Sequence, residues 1–196
     1  MKPDAILTWP THCDYPLWRR QLERDRDRLG RVLVSLSDQH VEPDLSGFVG
    51  SRLVELGAEI VPPTHGVGDW RDRAVNAALD RSDGEWVWFT EQDFLIDGPG
   101  EFWPFIRRRA GMNDAVGWRV EEFRWHPSCL FVRRSLVDRT SRYFGAEPHD
   151  HFTAFSRELD ELTDVARILS TSDPPFRHLA GLTQNHFPLE RHAPKS

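Results

Sequence analysis

The sequence EWVWFTEQDF, from Glu85 to Phe94, determines the fold class that we expect for this chain. Four consecutive apolar residues, Trp86 to Phe89, show no alternation with polar residues. A strand with this pattern has both faces buried, as in the centre of a parallel sheet that helices cover on both sides. The apolar run stops at Glu91-Gln92-Asp93, where we expect the strand to leave the sheet.

Two carboxylates at the end of a buried strand allow two interpretations. In open α/β sheets, ligands bind at the carboxyl ends of the strands. Glu91 and Asp93 could therefore hold a hard divalent cation, which in turn holds a diphosphate. The alternative is that both are solvated turn residues, since acidic turns after strands are common.

The composition is typical of a globular α/β domain. The chain has 196 residues, of which 39% are hydrophobic and 29% charged, and this balance argues against disorder. One domain, covering residues 1–196, fits this length better than two. The formal net charge of −6 argues against a general attraction to nucleic acid.

Two cysteines, Cys13 and Cys129, provide neither a disulfide framework nor a metal cluster. The sequence contains no apolar run long enough to span a membrane and no signal-peptide pattern at its start. We therefore expect a cytoplasmic protein.

Apolar segments and turn residues predict alternating strands and helices. The predicted strands are Ala5–Trp9, Arg31–Leu36, Ala58–Val61, Ala115–Val120 and Cys129–Val132. The first predicted helix starts with Asp14 and Pro16 and ends at Gly30. Further helices are predicted at Leu45–Leu56, Trp70–Arg81, Phe102–Arg109 and over most of Asp150–Leu169. An aromatic loop with Phe123, Trp125 and His126 is expected before the last strand. Arg107–Arg109 and Arg133-Arg134 are either a basic patch or solvated surface.

Polar motifs follow three of the predicted strands in a characteristic order. WPTHCDYPLW closes the first strand, LVSLSD closes the second with Asp38, and Glu91-Gln92-Asp93 closes the central one. This order resembles the GT-A glycosyltransferases, in particular the inverting family 2 type, over roughly residues 5 to 187. The resemblance implies a GT-A-like, Rossmann-like α/β fold in which helices flank both faces of a mostly parallel sheet.

The resemblance also implies roles for individual residues. The expected donor-binding residues are Pro10, Thr11, Asp38, Arg71, Asn76, Glu91 and Gln92. Asp93 matches the last residue of the family's Asp-x-Asp metal motif, whereas Glu91 departs from its first. His178 or His186 could complete the metal site, because imidazole is a competent ligand for Mn²⁺.

The segment YFGAEPHDHFTAFSREL resembles the part of the family that supplies the catalytic base. Asp150 is the candidate, and Glu147 is the second choice. Asp150 also stands where an aspartate can cap the following helix, and one residue can do both.

These expectations combine into one reaction. A divalent metal, Mn²⁺ or Mg²⁺, would stabilise the diphosphate that leaves a nucleotide sugar, for which a UDP-sugar is favoured. The base would take the proton of an acceptor hydroxyl, with inversion at the sugar carbon. The acceptor is open: a glycan, a small molecule, a protein or a hydroxylated nucleic-acid base. The alternatives are a nucleotidyltransferase and a non-catalytic nucleotide- or carbohydrate-binding module.

Overall fold

A computed structural model provides the structure of the protein. It describes residues 1–8, 15–35, 50–61, 70–91, 94–121, 124–144, 152–162, 166–168 and 176–178. All statements below concern this part of the chain.

Nine strands form two sheets. The strands are β1 (Asp4–Thr8), β2 (Val32–Ser35), β3 (Glu59–Val61), β4 (Trp86–Glu91), β5 (Phe94–Ile96), β6 (Ala115–Glu121), β7 (Arg124–Arg133), β8 (Ala166–Ile168) and β9 (Phe176–His178). The larger sheet has the order β3-β2-β1-β4-β7-β6-β8, and β5 pairs with β9 in a separate two-stranded sheet. In the larger sheet only β7 runs against its neighbours. The prediction of a mostly parallel sheet with a central fourth strand is confirmed.

Helices alternate with most of these strands along the chain. They are α1 (Tyr15–Asp25), α2 (residues 50–55), α3 (Trp70–Arg81), α4 (Pro99–Ala110), α5 (Arg134–Val137) and α6 (Thr153–Leu162). A short 3-10 helix, Arg26–Arg28, extends α1.

Both faces of the large sheet are buried, as the sequence EWVWF predicts. Alternate strand residues enter two separate apolar clusters, because successive side chains of a strand point to opposite faces. Trp88 packs with α1 and α4 on one face, and Phe89 packs with α3, α5 and α6 on the other. Trp88 stacks on Phe131 of β7 at 5.2 Å and meets Trp103 of α4 edge-on at 5.7 Å. The predicted α/β arrangement, with helices on both faces of the sheet, is therefore confirmed.

Hydrogen bonds to one buried carboxylate connect the amino ends of three strands. Asp4, at the start of β1, is only 2% exposed. Its Oδ1 accepts the backbone N–H of Arg31 at 2.7 Å, just before β2. Its Oδ2 accepts the Ser82 hydroxyl at 2.9 Å and the backbone N–H groups of Asp83 at 3.2 Å and Gly84 at 2.9 Å, just before β4. Four donors thus satisfy a group that would otherwise be costly to bury.

Two local predictions are wrong. Trp125 and His126 belong to β7 and not to a loop: Trp125 is completely buried, and its indole N–H donates to Asp160 of α6 at 3.2 Å. The segment predicted as helical from Asp150 to Leu169 contains the shorter helix α6 and then the strand β8, which extends the sheet beside β6. Pairing with a distant strand overrides local helix preference there.

We predict that Gly84→Ala destabilises the protein. A Cβ at Gly84 would lie 2.8 Å from Asp4 Cγ and 2.9 Å from both carboxylate oxygens, and this buried side chain has no room to move away. We expect the free energy of unfolding to fall by about 1–3 kcal/mol. Urea denaturation measures this change.

Gly100→Ala is the matched control. A Cβ at Gly100, in the first turn of α4, meets nothing within 4 Å. Alanine there should leave stability unchanged or raise it by up to about 1 kcal/mol. Equal effects of the two substitutions would contradict the structural role assigned to Asp4.

Candidate functional site at the carboxyl edge of the sheet

Four parallel strands end at the same edge of the large sheet. Thr8 of β1 is in register with Ser35 of β2 on one side and with Glu91 of β4 on the other. Ser35 is in register with Val61 of β3. The three predicted motifs therefore start from neighbouring positions on one edge, where ligands of open α/β sheets bind.

Most predicted site residues lie outside the described residues. They are Pro10, Thr11, Asp38, Gln92, Asp93, Glu147, Asp150 and His186. For Arg71, in α3, and His178, in β9, the structure describes the main chain but not the side chain. Their roles stay predictions.

Glu91 is the described member of the metal motif. It is the last residue of β4, its side chain is half-buried, and its main chain lies opposite Thr8. The next strand, β5, begins at Phe94, so Gln92 and Asp93 are the two residues between β4 and β5 in the sequence. The motif is thereby attached at both ends to ordered strands.

The small sheet brings the C-terminal part of the chain to this motif. Phe94 of β5 pairs directly with His178 of β9 in an antiparallel ladder. Directly opposite Cα atoms in such a ladder are about 4.5–5.5 Å apart. The main chain at His178 therefore adjoins Phe94, whose preceding residue is Asp93. Which of the two histidines, if either, binds a metal stays a prediction.

Asn76 has a partner that the sequence does not indicate. Its side-chain Nδ2 donates to the backbone carbonyl of Arg142 at 3.1 Å. The amide therefore holds the segment that leads towards residues 145–151. Its predicted contact with a donor stays a prediction.

Aromatic rings of β6, β7 and β9 pack together, an arrangement that the sequence did not predict. Trp118 of β6 stacks on His126 of β7 at 5.0 Å, and Phe176 of β9 meets Trp118 edge-on at 5.3 Å. The alternating pattern of Phe176-Arg177-His178 was the available signal, but a three-residue strand is too short to stand out.

The two arginine groups of the predicted basic patch differ in their partners. Arg133 pairs with Glu85 and with Asp114, and Arg134 pairs with Asp138. Arg107–Arg109 lie in the last turn of α4, where positive charge complements the helix dipole.

Within the described residues, no group of three His, Cys, Asp or Glu side chains could hold a metal ion. Complete burial raises the pKa of the Cys129 thiol, so this cysteine is a core residue and not a nucleophile. None of the described helices has the length and apolarity needed to cross a bilayer.

Comparison with known proteins gives likeness of structure without likeness of sequence. No protein-family model matches the chain, and no curated protein matches it. The crystal structure of S. aureus TarS, a GT-A-type glycosyltransferase, matches with a TM-score of 0.62 at 15% identity, over 87% of this chain. TarS 1-349 in complex with UDP-GlcNAc matches with a TM-score of 0.54 at 14% identity, over 95% of this chain.

These neighbours establish a GT-A glycosyltransferase-like fold. The protein spans 36% of the TarS chain and 62% of the TarS 1-349 chain in the UDP-GlcNAc complex. At this level of identity the likeness concerns the fold alone.

We predict that a disulfide will form between β5 and β9 in the double variant Leu95→Cys, Arg177→Cys, made with Cys13→Ser. Leu95 and Arg177 are directly opposite in the ladder, and their Cα separation falls in the range that a disulfide spans. Mild oxidation should remove both new thiols, as measured by thiol titration and by gel mobility without reductant.

The pair Leu95→Cys, Met112→Cys is the control. Met112 is 74% exposed and follows the far end of α4, a 12-residue helix about 18 Å long. This pair should stay reduced within one molecule. Equal oxidation of both pairs would remove the basis for placing His178 beside the metal motif.

Proposed function

We propose that this protein is a metal-dependent glycosyltransferase that moves a sugar from a UDP-sugar to an acceptor hydroxyl, with inversion. The observation that carries the proposal is the common register of Thr8, Ser35 and Glu91. The segment with Pro10 and Thr11, the segment with Asp38 and the metal motif Glu91-Gln92-Asp93 all begin at or shortly after these three residues in the sequence. The solved neighbours with UDP-GlcNAc and with UDP support a nucleotide-sugar site on this fold.

The chemistry of the donor requires a counter-charge at this edge. A leaving nucleoside diphosphate gains negative charge as the glycosidic bond breaks, and a divalent cation stabilises that charge by several kcal/mol. Asp93 would hold the cation, with Glu91 acting through water and His178 as a further ligand. Mn²⁺ is better suited to a site of oxygen ligands with one imidazole than to a site of soft sulfur ligands.

The other residues have simpler tasks. Asp38 would contact the nucleobase, while Pro10, Thr11, Gln92 and Arg71 would surround the nucleotide and its diphosphate. Asp150 would take the proton from the acceptor hydroxyl as the sugar carbon is attacked, a contribution of about 10²–10⁴-fold to the rate.

We predict that UDP stabilises the protein only when Mn²⁺ is present. At about 100 times its dissociation constant, a ligand adds about 2.7 kcal/mol, a rise in Tm of roughly 5–10 °C for a chain of this size. Asp93→Ala should abolish the gain, because the cation loses its first ligand. Thermal unfolding with UDP, Mn²⁺, both and neither measures this.

Asp27→Ala is the control for loss of one carboxylate. Asp27 is an exposed residue of the 3-10 helix after α1, and its replacement should leave the UDP-dependent shift unchanged. If the wild-type protein shows no shift with any nucleotide and metal, the proposal is wrong. If it converts UTP and a sugar phosphate into a nucleotide sugar, it is a nucleotidyltransferase.

We predict that Asp150→Asn separates the two roles of this residue. Asparagine caps a helix about as well as aspartate, so Tm and UDP binding should stay near the wild-type values. The amide cannot accept a proton at neutral pH, so hydrolysis or transfer of the donor sugar should fall by about 10²-fold or more. Release of UDP from UDP-GlcNAc, with Mn²⁺ present, measures the rate.

Glu147→Gln is the companion variant. Full activity of Asp150→Asn together with loss of activity in Glu147→Gln would move the base to Glu147. Full activity of both would leave this segment without the base.

A further inference from the structure

One side of α3 holds the chain that precedes residues 145–151. Asp72, Asn76 and Asp80 are four residues apart and so form one stripe along the helix. Asp72 Oδ1 accepts the backbone N–H of Phe144 at 2.9 Å. Asn76 donates a hydrogen bond to the carbonyl of Arg142 at 3.1 Å, and Asp80 accepts one from the Arg142 guanidinium at 2.9 Å.

The same short segment is also held from α5 and α6. Arg142 pairs with Asp138, next to α5, and the backbone N–H of Ser141 donates to Glu158 of α6 at 2.6 Å. Partial burial acts to raise the pKa of Asp138, but hydrogen bonds from Arg134 and Arg142 outweigh it and hold that pKa below its ordinary value. Residues 141–144 are therefore held by α3, by α6 and by Asp138 at the end of α5.

The two ends of the interval 145–151 are joined to each other. Phe152 donates its backbone N–H to the carbonyl of Phe144 at 2.5 Å, and their rings are 4.9 Å apart. Both rings pack on Phe89 of β4, at 5.7 and 5.2 Å, and Phe155 of α6 closes the group. Phe89 lies two residues before Glu91 on the same strand.

Backbone strain marks both sides of this interval. Among the described residues, Arg142 (φ 54°) and Phe152 (φ 66°) are the two non-glycine residues with positive φ. This conformation is unfavourable for a residue with a side chain and persists only where surrounding contacts hold it. Here the helix stripe holds the first residue and the aromatic group holds the second.

We propose that the stripe Asp72–Asn76–Asp80 and the pair Phe144–Phe152 together form a clamp that positions the intervening chain for sugar transfer. The clamp ties both ends of the interval that contains Asp150 and Glu147 to β4, the strand that carries the metal motif. In this proposal Asn76, which the resemblance assigned to donor binding, is a positioning residue that acts through the base. This inference rests on the proposed function.

The test compares Asn76→Ala with Asn113→Ala. Both variants lose one hydrogen bond from an asparagine Nδ2 to a main-chain carbonyl of an arginine, since Asn113 donates to Arg109 at 2.8 Å at the end of α4. Two readouts are measured below the Tm of either variant. The first is the kcat and KM for UDP-GlcNAc hydrolysis with Mn²⁺, and the second is amide hydrogen exchange by mass spectrometry.

For Asn76→Ala we expect kcat to fall by about 10- to 100-fold, because small displacements of a catalytic group have effects of this size. The KM and the affinity for UDP should stay within about twofold of the wild-type values, since the donor contacts are elsewhere. Exchange should increase in peptides covering 139–152 and not in those covering β1 or β4. Asn113→Ala should change neither readout.

Three outcomes decide the matter. Unchanged kcat in Asn76→Ala, or an increase in KM with kcat intact, overturns the clamp as a positioning device, and the latter result makes Asn76 a donor-binding residue. A fall in kcat with local exchange supports it. An inactive wild-type protein that binds no UDP overturns the proposed function instead, and local exchange in Asn76→Ala then decides whether the clamp orders the interval.

Discussion

The carboxylate of Asp4 is the constraint on which the geometry of the candidate site depends. It is buried at the amino ends of the strands and accepts hydrogen bonds from the chain before β2 and before β4. A slip of either strand by one residue would leave these donors unpaired in the interior and would reverse its apolar faces. Because strands are stiff and regular, the register fixed at this end also aligns Thr8, Ser35 and Glu91 at the other.

The central strand and the helices that cover it could be predicted from sequence, because EWVWF is apolar on both faces and the helices carry periodic apolar residues. The strand β7 could be predicted only from Cys129 onwards. Pro127 lies in its first half, before the pairing with β4 begins at Leu130, and its register with β6 is irregular there. Proline is tolerated in a strand at such a position, but a local pattern cannot reveal it.

The order of the site motifs along the chain could be predicted from sequence, whereas the contacts between distant residues of the site could not. Strand ends identify the edge at which a ligand binds, which is why three motifs could be found. The partners of Asn76 and Phe94 are 66 and 84 residues further along the chain, at Arg142 and His178. Nothing in the residues themselves encodes such pairs, because any amide can donate to any carbonyl and any short strand can pair with another. The similarity to the neighbours concerns the fold, and this chain spans only part of the longer TarS chains.

The pairing of β5 with β9 has a consequence for biosynthesis. Phe176 is the 80th residue after Ile96, so it is added roughly 4–16 s later at about 5–20 residues per second. During that time the large sheet can assemble from strands already made, while β5 on the nascent chain has no strand to pair with. Phe94 is fully buried in the finished protein, partly against Phe176, so this part of its apolar surface stays uncovered until β9 has been made. The edge that we assign to chemistry is thus completed only after all the described strands of the large sheet have been synthesised.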